Sequence, residues 1–175
     1  MQDPNELFDV VDEHDQVTGQ AARQEVHARR LRHRAVHVFL LNSAGELFVQ
    51  LRAPTKDTFP ECYDSSASGH LNAGETYDAC AIRELREELT LDVPPAVLQR
   101  RFKIDAREQT GWEFVWVYSA IGAFVPAPNP AEIISGEFLS RADVQQLVTR
   151  NPERCAPGFV LIVNEFTRRG LWSPR

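Results

Sequence analysis

The feature that most constrains the fold is a change of hydrophobic period near the middle of the chain. Around residues 77–89, Ala81, Leu85 and Leu89 recur every fourth residue, with Ile82 beside them and charges between. That spacing lines one face of an α-helix, while the apolar runs before and after it read as strands. A helix set among strands predicts an α/β fold in which the helix covers a sheet. The opposite face is acidic: Glu84, Glu87 and Glu88 fall at i, i+3 and i+4 and project together. Carboxylates that close repel, and a hard divalent cation such as Mg²⁺ relieves the repulsion while bridging to phosphates. The plain alternative is a solvated acidic face, with pairs such as Arg83 to Glu87 worth only about 0.2–0.5 kcal/mol each.

Strand signals surround the helix. Residues 7–11 and 16–20 flank a polar turn and predict an N-terminal hairpin over about 6–21. A stretch with Arg23, Arg29, Arg30, Arg32 and Arg34 follows, suited to an anionic ligand or to plain solvation. Residues 35–41 and 46–51 flank Asn42-Ser43-Ala44-Gly45 and predict a second hairpin. Pro54 and Pro60 bracket a loop holding Lys56 and Asp57. Beyond the helix, Pro94-Pro95 forces a break, and residues 97–106 and 113–124 read as strands around a turn at 108–111. Pro126, Pro128 and Pro130 stiffen a loop before a last strand at 133–139. Ser140 is placed to cap a helix through Val148, and a terminal helix covers 158–168, so helices occupy about 140–170. With no repeat and no long linker, one domain over 1–175 is expected.

Composition narrows the function. The hydrophobic fraction of 43% supports a core, and the longest apolar stretch, 36–41, is far short of the roughly 20 residues of a membrane span. Lysine plus arginine number 19 against 25 acidic residues, a net charge of −6 that argues against a general nucleic-acid binder. Cys62, Cys80 and Cys155 are too few and too irregular for a disulfide framework or zinc cluster and read as reduced thiols, Cys62 as a buried one. Residues 1–6 show neither a basic start nor an apolar segment, which makes the cytoplasm the expected compartment. The sequence leaves room for a homodimer.

Gly69, five residues, Glu75, seven residues, then Arg83-Glu84-Leu85-x-Glu87-Glu88-x-Thr90-Leu91 resembles the Nudix box, matching eight of its nine specified positions. The resemblance implies an α/β/α sandwich with a mixed sheet, the box forming a loop–helix–loop entered through a glycine-bearing loop. It implies Mg²⁺, or Mn²⁺ in its place, held by Glu84, Glu87 and Glu88 with the Gly69 carbonyl. Glu84 would be the base, and Glu75 and Arg83 would support the cluster, paired with each other or with a helix glutamate. Thr90 departs from the family's glycine. Because other L-residues lose roughly 1–2 kcal/mol in the left-handed region, a modified helix exit is expected there.

Over about residues 5–150 the chain is similar to the branch containing isopentenyl-diphosphate isomerases and their hydrolase-like relatives. The carriers are residues 8–13, Leu31-Arg32-His33-Arg34, and Arg52-Ala53-Pro54-Thr55-Lys56-Asp57 leading to Phe59-Pro60. The resemblance implies that Arg52 and Lys56 bind a diphosphate, Arg by its planar fork and Lys as a point charge. His33 and His70 match metal-binding histidines of the isomerases, His27 another after a one-residue shift, and Glu113 a strand glutamate. As alternatives, His27 and His37 are ordinary surface or strand histidines. Where the isomerases place a proton-donating cysteine before the glycine–histidine pair, this chain has Ser68, whose hydroxyl is far less acidic than a thiol. Together with the complete glutamate set, this favours hydrolysis of a diphosphate linkage in a small phosphorylated substrate, such as a nucleoside diphosphate derivative. Isomerisation of isopentenyl diphosphate and a catalytically idle diphosphate sensor are the competing readings. Trp112, Phe114, Trp116 and Tyr118 alternate along a strand, as packing residues or as a surface on which a base stacks.

Overall fold

The structure, a computed structural model, describes residues 3–172. The expectations drawn from Met1 and Gln2, and the end of the expected domain at 173–175, lie outside those residues. The first hairpin joins β1 (Leu7–Val11) to antiparallel β2 (Val17–Ala22). Its turn is held by the Asp12 carboxylate, which accepts from the backbone N–H groups of His14 at 2.8 Å and Gln16 at 2.9 Å. The arginine-rich stretch, read above without structure, contains a short helix, α1 (Arg23–Ala28). No side chain caps it; Val26, wholly buried with Phe8 and Ala21, holds it to the hairpin.

Strands β3 (His33–Leu41) and β4 (Leu47–Arg52) flank the expected turn, where the Asn42 side chain accepts from Ala44 N and Glu46 N at 3.0 Å each. They part after a single pair, Leu41 with Leu47. That edge of β3 pairs instead with the short β6 (Ala67–His70), while its other edge pairs in parallel with β8 (Glu113–Ile121), which is also antiparallel to β7 (Gln99–Ile104). β4 pairs with β5 (Tyr63–Asp64) and β9 (Ile133–Leu139). The sheet is therefore mixed.

Both faces of β3 are covered. Ala35, Phe39 and Leu41 pack with Phe159, Ile162 and Phe166 of the terminal helix, α4 (Pro157–Arg168). The alternate residues Val36, Val38 and Leu40 pack with Ala81, Leu85 and Leu89 of α2 (Tyr77–Leu89). Helix α3 (Arg141–Arg150) lies beside α4 and starts at Ser140, whose hydroxyl accepts from Asp143 N at 3.2 Å. Helices on both faces of a mixed sheet make the expected α/β/α sandwich.

Helix α2 begins at Thr76, whose side chain accepts from Ala79 N. Its exit corrects the expectation for Thr90: the turn is not modified. Thr90 takes the left-handed conformation itself (φ 55°, ψ 35°), with Thr90 N donating to Arg86 O and Leu91 N to Leu85 O. The strain is held in place by the proline-rich loop, since Thr90 Oγ1 donates to Ala127 O at 3.1 Å. That loop also satisfies the helix's last carbonyls, Ala127 N donating to Leu89 O and Asn129 N to Glu88 O. Among the described residues no helix is long and apolar enough to cross a membrane.

Candidate active site

The glutamates sit on the face of α2 turned to β6. Gly69 and His70, read above as part of a loop, lie on that strand, and the loop proper is the short connection from it to Thr76. Pairing of Gly69 with Val36 points Gly69 towards α2, and the Glu84 carboxylate lies directly against it. Glu84 and Glu88 are buried, and Glu87 is exposed. Glu88 accepts from Gln50 Nε2 at 3.0 Å, Ser68 N at 3.2 Å and Lys56 Nζ at 3.3 Å; Lys56 also pairs with Glu132. Burial, reinforced by neighbouring Glu88, pushes the Glu84 carboxyl up to about 8. Burial raises Glu88 too, against the pull of the Lys56 ammonium.

Arg83 organises this cluster. It donates to both Glu75 oxygens at 2.9 Å, to Glu84 Oε1 at 2.6 Å, to Glu87 Oε2 at 3.0 Å and to the His70 carbonyl at 2.9 Å. Burial opposes its charge, but Glu75 and Glu84 outweigh burial and hold the guanidinium protonated.

A second cluster occupies the other face of β6. The register sets His33 beside Glu113 on parallel strands and His70 opposite Ala35, two residues along β3. Helix α1 brings His27, so that one ring nitrogen from each of His27, His33 and His70 lies within 4.8 Å of the others. His27 is half-buried and its ring lies in this cluster. His33 Nδ1 donates to Leu31 O at 2.9 Å, which leaves Nε2 as the ring nitrogen turned towards Glu113. That nitrogen is buried without a hydrogen-bond partner, 3.6 Å from Glu113 Oε1. His70 Nε2 is 2.8 Å from the same oxygen. Burial drives the His70 ring down to about 4, so it is neutral near pH 7. Burial also pushes Glu113 up, but His70 and His33 overcome it and hold its carboxyl well below the usual range.

Two cavities meet at this strand. One of about 510 Å³ is lined by Glu84, Glu87, Glu88, Arg83, Asn129 and Glu132 among others. A larger one, about 580 Å³, runs past His27, Trp112 and Glu113 to the start of α4. Arg23, Lys56, Ser68, Gly69 and His70 border both. Lys56 therefore faces the acidic cluster, whereas Arg52 is tied to Asp64 at 3.0 Å and to the Thr58 carbonyl and only edges the larger cavity. His37 is buried with Nδ1 2.7 Å from Ser65 Oγ. Of the alternating aromatics only Trp112 borders a cavity. Trp116 and Tyr118 pack in the α2 core and Phe114 is buried under the Lys103 ammonium. Cys62 is half-buried rather than buried, and all three thiols are free.

Sequence reasoning missed Gln50, Asn129 and Glu132, and it left Arg23 undistinguished among its neighbours. Arg23 is set apart by burial, together with Ala21 and Val26, where Arg29 and Arg30 are exposed, and the sequence alone does not show that. The other three reach the site through pairing of β4 with β9 and the return of the proline-rich loop, neither of which leaves a local pattern.

Comparison with known proteins agrees with this geometry. The family model described as the NUDIX domain matches residues 31–157. An uncharacterised Nudix hydrolase of Streptomyces coelicolor is 38% identical over 147 residues, covering 83% of this chain and 80% of the relative. An isopentenyl-diphosphate delta-isomerase of Pectobacterium atrosepticum is 32% identical over 155 residues, covering 87% and 86%. The crystal structure of DR0079 from Deinococcus radiodurans superposes with a TM-score of 0.82 at 31% identity, covering 91% of this chain and 98% of that one. With the box glutamates Glu84, Glu87 and Glu88 gathered beside β6 and the domain model spanning most of the chain, this protein belongs to the Nudix hydrolase family, whose members act on pyrophosphate bonds.

Proposed function

We propose that the protein is a divalent-cation-dependent hydrolase that cleaves the diphosphate linkage of a small phosphorylated substrate, a nucleoside diphosphate derivative or a similar compound. The observation that carries this reading is the convergence of Glu84, Glu87 and Glu88, two of them buried, on a cavity that also presents Lys56. Buried carboxylates this close are costly unless a cation shares them, so the donor set fits Mg²⁺ or Mn²⁺, with the Gly69 carbonyl beside it. When bound, such a cation draws charge from the non-bridging phosphate oxygens.

The chain's own residues supply the rest. Arg83 holds Glu84 and Glu87 in place and keeps Glu75 beneath them. Lys56 stands at the wall common to both cavities, placed to exchange a carboxylate partner for a phosphate oxygen. Water attacks phosphorus, a carboxylate of the set takes its proton, Glu84 against Gly69 being the candidate, and the bridging P–O bond breaks with the leaving phosphate keeping the electron pair. The larger cavity receives the organic group, with Arg52 at its edge.

The histidine cluster is a second cation site in this reading. The fit rests on the buried, unpartnered His33 Nε2 beside the Glu113 carboxylate, with His27 and His70 completing the donor set. The same cluster favours isomerisation as the second reading. Ser68 weighs against it, because its hydroxyl is a poor proton donor to carbon.

A panel of diphosphates incubated with Mg²⁺ or Mn²⁺ tests the proposal through phosphate release, with Glu87→Gln and Glu88→Gln as controls. Release that survives either substitution at the wild-type rate contradicts the mechanism. Deuterium entering the carbon chain of isopentenyl diphosphate in heavy water, seen by NMR, would select the isomerase reading instead.

A further inference from the structure

His37, on the face of β3 turned away from α2, borders the larger cavity and is 9% exposed. Its Nδ1 lies 2.7 Å from Ser65 Oγ. Ser65 is wholly buried, and among the described residues its hydroxyl proton has no acceptor other than this nitrogen. A buried hydroxyl without an acceptor is costly, so Ser65 donates to Nδ1 and the proton of the neutral ring sits on Nε2. Burial keeps the ring neutral near pH 7, outweighing the pull of the Asp64 carboxylate. Nε2 itself has no hydrogen-bond partner among the described residues. It lies against Gly158 in the first turn of α4, where a β-carbon would stand 3.6 Å from it. Gly158 borders the same cavity. Pro157 has no N–H to give, no side chain caps the helix, and its first internal bond runs from Val160 N to Ala156 O. The positive end of α4 and the Gly158 amide thus lie beside the histidine donor.

We propose that His37 and the start of α4 form a specificity site, which selects substrates whose organic group is apolar along its length and ends in an oxyanion such as a carboxylate. The inference rests on the reading that the larger cavity receives the organic group. A neutral N–H donor beside a helix N-terminus holds an anionic oxygen, whereas a methyl end leaves the donor buried without an acceptor. The walls of the cavity include Ala35, Ile104, Val115, Leu161 and Ile162. The carboxylates nearby are engaged: Asp64 accepts from Arg52 at 3.0 Å and from Ser65 N at 2.7 Å, and Glu113 faces the other histidines. His37 also stands opposite Ser68 in the β3–β6 register, and Ser68 borders both cavities. One molecule therefore spans from a diphosphate at Lys56 to an oxyanion at His37.

Non-hydrolysable methylenediphosphonate monoesters test this, with chains from propyl to hexyl that end either in methyl or in carboxylate. Calorimetry with Mg²⁺ present gives their affinities. At the best-fitting length the carboxylate should bind the wild-type protein about tenfold tighter than the methyl compound, the scale of a hydrogen bond to a charged group. Gly158→Ala places a methyl at ordinary contact distance in front of Nε2 and should erase the preference, with the methyl compound's affinity little changed. His37→Leu should erase it too, and His37→Gln, which keeps a donor near the Nε2 position, should retain part of it. Long-range ¹H–¹⁵N spectra of the free wild-type protein should show His37 protonated at Nε2, with a shift on adding the carboxylate compound. Equal affinity for the two ends at every length, a preference that survives Gly158→Ala and His37→Leu, or a proton on Nδ1 would each overturn the inference. The wild-type and Gly158→Ala measurements decide the matter even if His37→Leu does not fold. Phosphate release from the diphosphate panel reads the glutamate site separately. A carboxylate preference without hydrolysis would sink only the proposed function, and hydrolysis without the preference only this inference.

Discussion

The Glu84 carboxylate lies so close to Gly69 that a β-carbon built on the glycine would stand 2.0 Å from Glu84 Oε1. Gly69 is on a strand, and no left-handed φ asks for glycine at this position. What excludes a side chain is the carboxylate itself. Gly69→Ala should push Glu84 out of the cluster while leaving the strand pairing intact. Turnover is expected to fall at least about tenfold, in line with the cost of misplacing a group at a reacting centre, and stability to change by less than about 2 kcal/mol. Steady-state kinetics and urea unfolding check both, and an alanine variant with wild-type kcat would refute the steric account.

Glu84 also makes the metal-free protein sensitive to pH. Its carboxyl is raised from an ordinary value of 4.5 to about 8. Between those values the folded protein holds a proton that the unfolded chain has lost, so stability falls as pH rises from about 4.5 to about 8. Glu84→Gln should remove that slope and stabilise the metal-free protein by about 2 kcal/mol at pH 8, while abolishing hydrolysis. Thermal unfolding at several pH values shows whether the slope disappears.

The same proton must leave for a cation to bind. Mg²⁺ or Mn²⁺ affinity should therefore increase from pH 6 to pH 8, with protons released on binding. Calorimetry in buffers of different ionisation heat measures the release, and an affinity flat across that interval would be inconsistent with a protonated Glu84.

Arg83 reaches Glu75, Glu84, Glu87 and the His70 carbonyl at once, which a lysine ammonium cannot reproduce. Arg83→Lys should cost about 2–4 kcal/mol and most of the activity, because it leaves carboxylates uncompensated in a partly buried cluster. Loss of activity at unchanged stability would mean that Arg83 acts on the substrate rather than on the glutamates.

At the far end of α2, Thr90→Gly relieves a left-handed threonine but removes its bond to Ala127 O. The two effects are similar in size, so stability should rise by no more than about 1 kcal/mol, with turnover within twofold of wild type. A severalfold change in turnover without a gain in stability would show that the helix exit takes part in the reaction.

Legibility in the sequence followed the range of the interactions. Helix α2, its glutamate face and the Ser140 cap are encoded within a few residues, and each was readable from spacing alone. So were most long strands. Helix α1 was not, because its six residues depend on Val26 finding Phe8. The parting of β3 from β4 was also hidden. A turn such as 42–45 specifies that two strands meet, but not that β6 then takes the place of β4 along the same edge of β3. The candidate site divides the same way. Glu84, Glu87, Glu88, Glu75 and Arg83 lie within one motif, while the approach of His27 to His33 and His70, and of Lys56 to Glu132, is made by tertiary pairing.

Alternation along β3 has a consequence for how this enzyme can change. Odd-numbered residues from His33 to Leu41 face the larger cavity and the α4 core, and even-numbered ones from Val36 to Leu40 face α2. A substitution at Ala35 or His37 reshapes the larger cavity without touching the packing of α2 that supports the glutamates. Variation on the odd-numbered face is thereby uncoupled from the packing that supports the glutamates on the other side of the same strand.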